Sequence, residues 1–263
     1  RRRLSEGCMR LSRRFAFWVL LLATTAGRGV GSPSDPIVDP IGEPRDSAGF
    51  AFRVSTPAVS LAQDLEGKFS IKIEGFGALE RRPGAPDLPA KLLRVAIPEG
   101  VEPRLEITVE AEDTIPGVAP RAVAERLVDS ASPDESAPAN PSAHVREVRR
   151  PSAEFYQGAG SFPSAVAWLG QVGVFRDQRY VEVFLAPARF DPGIRGLKVA
   201  RAFRVTVRFD GDLGYRGETH PDPRLEQVYR NSFVNYEQGM TFRIGSAPAT
   251  LGGAASPAGD AAS

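Results

Sequence analysis

The chain has 263 residues, 42% hydrophobic, with 23 prolines, 26 glycines and a formal net charge of +1. Seven of the 33 basic residues but one of the 32 acidic ones lie in residues 1–30, leaving 26 basic against 31 acidic in the remainder. That balance argues against a nucleic-acid partner, which needs clustered positive charge, and a single cysteine, Cys8, leaves the chain beyond it without disulfide or thiolate nucleophile.

Residues 9–14 are basic, and residues 15–26 form a largely apolar run. At about 1.5 Å per residue the run is too short to cross a hydrocarbon core of about 30 Å. Residues 1–30 therefore read as a signal peptide. The expectation is a protein secreted or held in a bacterial cell envelope, with no membrane span once the signal is removed. Residues 31–47, rich in Pro, Gly, Asp and Ser, read as a mobile leader.

Alternation then begins. Phe50, Phe52 and Val54 share one face of a first strand, and Ile71 and Ile73 alternate with Lys72 and Glu74 in a second. Residues 84–89 form a turn rich in Gly and Pro. A strand follows over 91–97, with Leu93, Val95 and Ile97 on one face, and Pro98 ends it. Residues 103–110 alternate cleanly: Leu105, Ile107 and Val109 oppose Arg104, Glu106, Thr108 and Glu110.

Residues 130–142 are polar and proline-rich and read as a long loop. Residues 166–175 resume the periodic signal. In 179–186, Val181, Val183 and Leu185 oppose Tyr180, Glu182 and Phe184; both faces are partly apolar, as a central strand requires. Residues 190–193 read as a turn. Residues 199–209 give the strongest strand, with Phe203, Val205, Val207 and Phe209 on one face. Pro223 can start a helix bearing Leu225, Val228 and Tyr229, and 233–242 read as a second short helical piece. Residues 246–263 are small and read as a disordered, low-complexity tail. The fold class is all-β: an antiparallel β-sandwich over residues 48–245 with a short helical C-terminal segment.

No catalytic constellation emerges. His144 and His220 are far apart in loop-like sequence, where neither shows the spacing of a metal or catalytic site. Glu110, Glu112 and Asp113, and Asp134 with Glu135, read as solvated charge. Residues 146–150 (REVRR) read as a solvated segment or a protease-sensitive one. No cofactor or metal is expected.

The motifs also carry a resemblance. Gly84-Ala85-Pro86-Asp87-Leu88-Pro89, followed by a strand ending at Pro98-Glu99-Gly100, resembles the N-terminal prodomain of gingipain-type, family C25, cysteine proteases. The resemblance continues in order: Ser161-Phe162-Pro163, then Arg189-Phe190-Asp191-Pro192, then Asn235-Tyr236. It implies a noncatalytic prodomain that assists folding and maintains latency, with a cognate cysteine protease domain in cis as partner. It also implies a basic side chain offered to a specificity pocket. Arg176 and Arg179, flanking a predicted hairpin turn, are the candidates, and Arg243 is the candidate processing point. The alternative from another class is a stand-alone envelope adhesion or carbohydrate-binding sandwich.

Overall fold

The computed structural model describes residues 37–42, 48–78, 82–128, 145–211 and 223–243. In the N-terminal part the strands are β1 (Val38–Ile41), β2 (Gly49–Ser55), β3 (Val59–Gln63), β4 (Phe69–Ile73), β5 (Gly77–Ala78), β6 (Pro89–Ala96) and β7 (Glu102–Pro116). Then come β8 (Glu125–Val128), β9 (Val145–Val148), the short helix α1 (Ala153–Tyr156), β10 (Ala167–Phe175), β11 (Gln178–Leu185), β12 (Ala188–Asp191) and β13 (Gly196–Asp210). Two helices, α2 (Pro223–Ser232) and α3 (Tyr236–Gly239), and a 3₁₀ turn (Met240–Phe242) close the described chain.

Two antiparallel sheets face one another. The first is organised on β13, which pairs with β7 along one side and with β12 and then β2 along the other; β1 extends it beyond β2. The second runs β10–β11–β6–β5. Alternation explains why they stack. Phe52 and Val54 of β2 and Phe203, Val205 and Val207 of β13 point inward, as do Leu93 and Val95 of β6 and Val181, Val183 and Leu185 of β11. Neither sheet could bury these rows alone, and joined they make one core. The sandwich expected from the periodicity is the one observed.

β13 changes partners at an irregularity between Ala200 and Phe203. Its backbone stays satisfied there: Thr56 N–H donates to Arg201 O at 2.9 Å, Thr56 Oγ1 donates to Ala200 O at 2.6 Å, and Ala200 N–H donates to Pro187 O at 2.9 Å. A bulge of this kind lets one strand serve two neighbours. A second, smaller core lies under the β3–β4 hairpin, where Ile71, Ile73 and Leu88 meet Phe190, Leu197 and Val199.

Two local readings need correction. The expected leader, residues 31–47, contains β1: Ile37 and Val38 are buried, and Val38 pairs with Val54. Four residues that include Asp39 and Pro40 carry too short an alternation to read, but an edge position tolerates the proline. Residues 188–191, partly read as turn, form β12 before turning. Residues 146–150, read as a solvated segment, are largely exposed, and the first three of them belong to β9, which pairs with β8. Residues 1–30, 130–142 and 246–263, expected as signal, loop and tail, lie outside the described residues.

The C-terminal helices dock on the outer face of the second sheet. Tyr229, Phe233 and Tyr236 pack on Ala96, with Tyr180 and Leu225 beside them. Gly239 permits the approach, since a Cβ there would lie 2.7 Å from the Ala96 Cβ. The Asn235 side chain behaves like a neighbouring strand: its Oδ1 accepts from Ala96 N–H at 2.7 Å and its Nδ2 donates to Ala96 O at 2.9 Å. Nδ2 also donates to Gln238 Oε1 at 2.7 Å, and Gln238 Nε2 donates to Gly49 O in the other sheet at 2.9 Å.

Candidate functional site

The sequence candidates converge on one end of the sandwich, but in different states. β10 and β11 are joined by a tight turn at Arg176 and Asp177. Arg176 is exposed and has φ of +56°, a left-handed conformation that a non-glycine residue adopts only where the turn demands it. Its neighbours hold the tip in place. Asp177 accepts a hydrogen bond from the Tyr229 hydroxyl, and Phe175 meets Tyr229 edge-on with ring centroids 5.5 Å apart.

Arg179 is not presented. Its Nη1 donates to Val101 O at 2.6 Å and Pro98 O at 3.1 Å, so the guanidinium ties β11 to the turn between β6 and β7. The reason is parity. Arg179 shares its strand face with Val181 and Val183, which point inward. At the end of the sandwich an inward arginine finds carbonyls instead of solvent.

Arg243 is not presented either. Its relative exposure is 5%, and its Nη1 and Nη2 donate to the two carboxylate oxygens of Glu226 at 2.5 and 3.1 Å. The guanidinium also lies 4.2 Å from the Tyr229 ring centroid and 5.9 Å from that of Tyr236. This is a bidentate ion pair sealed between aromatic rings. The hydrogen bond from Arg243, with a further one from Tyr236, holds the Glu226 carboxyl below its ordinary range despite opposing burial. Burial, then the bond to Asp177, pushes the Tyr229 hydroxyl up to about 12. A side chain clamped this way cannot enter a protease pocket, so cleavage after Arg243 requires the clamp to open first. Glu226, Tyr229 and Tyr236 form the assembly around Arg243, and none of the three stands out in the sequence as its partner.

The other candidate groups are structural or lie elsewhere. Glu110 receives Arg53 at 2.7 Å and Arg204 at 3.6 Å, Arg201 pairs with Asp113 at 2.6 Å, and Arg189 pairs with Glu112. Arg149 Nη1 donates to Ala122 O at 2.7 Å. It lines an open cleft of about 520 Å³ with Asp64, Glu66, Arg146 and Arg150. His144, His220, Asp134 and Glu135 lie outside the described residues. Among the described residues no group of His, Cys, Asp and Glu is arranged to hold a metal ion, and no helix is long and apolar enough to cross a membrane.

Comparison with known proteins gives one family. The model of the Propeptide_C25 family matches residues 35–242. No curated protein sequence matches. The fold resembles a solved chain from the complex of the pro- and mature domains of RgpB from Porphyromonas gingivalis. That match has a TM-score of 0.58 and 18% identity over 77% of this chain and 99% of that one. A chain from a structure concerning the zymogenic latency of gingipain K, from the same organism, matches at a TM-score of 0.48 and 18% identity, covering 69% of this chain and 97% of that one.

Proposed function

The chain belongs to the C25 propeptide family, and from that membership we propose that it is the prodomain of a secreted or envelope-bound C25-type cysteine protease precursor. In this reading it assists folding of the protease domain, keeps it latent and contributes no catalytic group. The observation that carries the reading is the family match across nearly the whole sandwich, residues 35–242. Two features support it physically. A closed core gives a rigid platform, and a rigid platform loses little entropy when it presents a loop. Arg176 stands exposed at a tip whose neighbours are fixed, and an arginine fork suits a pocket floored by a carboxylate.

Titrating the 263-residue chain against an arginine-specific C25 protease tests the reading. Inhibition at micromolar concentration is expected, weakened by Arg176→Ala. No inhibition would remove the inhibitory role. Unchanged inhibition by Arg176→Ala would move the presented residue elsewhere. The gene beyond Ser263 offers an independent check: a following domain with His and Cys is expected, and a stop codon or an anchoring module would favour the adhesion reading.

A further inference from the structure

The sandwich has two long edge strands, β7 and β10, which approach one another on the same side. β10 pairs only with β11 among the described residues. Its sequence, AWLGQVGVF, carries no charge. Val172 and Val174 are 44% and 59% exposed, and Phe175 is exposed beside them. Its outer face is stripped of side chains at two positions. A Cβ at Gly170 would lie 2.6 Å from the Phe184 ring, and one at Gly173 would lie 2.7 Å from the Tyr180 ring. The rings of β11 therefore cover the glycines and leave the backbone of β10 approachable from its free side. Folded proteins guard such an edge with charge, proline, bulges or cover. β10 carries no charge and no proline, and its irregularity between Leu169 and Val172 leaves the stretch from Val172 to Phe175 in regular register with β11.

We propose that the free edge of β10 is the docking strip for the protease domain that follows this chain in cis, taking an extended segment of that domain as an added strand. Val172 and Val174 would supply the apolar contact. This rests on the prodomain reading above. The occupant is argued from where the described chain leaves the sandwich. Arg243 stacks on Tyr229, and Tyr229 meets Phe175, the last residue of β10. Whatever follows Arg243 starts beside the strip, at high effective concentration.

The test compares amide hydrogen exchange in the 263-residue chain with that in the intact precursor, whose catalytic nucleophile is replaced to prevent self-cleavage. Amides of β10 are expected to exchange at least about tenfold more slowly in the precursor. If a protease domain follows and β10 exchange is unchanged, the strip assignment falls while the prodomain reading stands. If no protease domain follows, both fall together. If β10 exchange in the 263-residue chain slows as its concentration rises, the strip joins copies of the chain and the assignment is overturned. As a second measurement, Val172→Lys with Val174→Lys should speed separation of the chain from its protease by at least about tenfold. Thr108→Lys on β7 should leave separation unchanged, and equal effects at both edges would overturn the assignment.

Discussion

β7 and β10 border the same side of one sandwich, yet β7 places six charged residues in fifteen and β10 none in nine. Five of these six charges are engaged in ion pairs. Arg208 pairs with Glu106 at 2.9 Å and Arg104 with Asp210 at 2.8 Å. Arg53 and Arg204 stand directly opposite one another, a repulsive arrangement that Glu110 between them resolves. These pairs are exposed, so each contributes little to stability. Their larger effect is exclusion, since a neighbouring strand would have to strip water from them. β10 offers apolar side chains and bare backbone in the same setting. One edge is thus built to stay free and the other to be covered.

That contrast can be broken at several places, and the largest effect lies beneath it. Phe203 is fully buried and sits opposite Val109 of β7 on one side and Val54 of β2 on the other. Phe203→Ala should cost about 3–5 kcal/mol, measured by urea unfolding, and should loosen β7 before β10. Next is the clamp that sets the chain exit beside β10. Glu226→Gln leaves the Arg243 guanidinium buried without its countercharge and should cost about 2–3 kcal/mol. Trypsin should then cut after Arg243 measurably faster than in the unaltered chain.

The same clamp has a defined pH dependence. Because the folded-state carboxyl of Glu226 is held low, the open form takes up a proton first as pH falls. The stabilisation is therefore intact above the ordinary glutamate value of about 4.3 and is lost as pH drops through the lower folded value. Exchange across residues 236–242 should be steady, after correction for its intrinsic pH dependence, between about pH 5 and 8 and should rise only in stronger acid.

Smaller effects belong to the guarded edge. Glu110→Val should change stability by about 1 kcal/mol. It should also turn the outer face of β7 toward self-association, read as concentration-dependent sedimentation. Smallest is screening: raising the salt to about 1 M shortens the Debye length to about 3 Å and should lower the melting temperature by only a few degrees. A large salt effect would mean that the ladder stabilises the fold more than exposed pairs normally do.

The long strands were legible because alternation over seven or more residues has one reading. Phe50, Phe52 and Val54, or Phe203 through Phe209, state which face is buried. β1, β9 and β12 were not legible, since four residues give one period or two and their partners lie elsewhere in the chain. The site divides in the same way. The inward position of Arg179 was readable in principle from its parity with Val181. The burial of Arg243 was not, because Glu226 and Tyr229 reach it only through the docking of α2 on a sheet made of other residues. Asn235 was visible as part of a motif, while its pairing with Ala96 depends on a backbone 139 positions away.

The partnership of β2 with β13 has a temporal consequence. Phe52 stands opposite Val205, so the first sheet cannot close until nearly all of the domain is present. Loop-closure entropy must be met before that contact returns any stabilisation, and such topologies fold slowly. A nascent chain that ends short of β13 therefore lacks the strand that flanks Phe52 and Val54 within their own sheet, and their burial stays incomplete. The domain hardens only as its last strands and the Asn235 segment arrive, next to whatever is made after them.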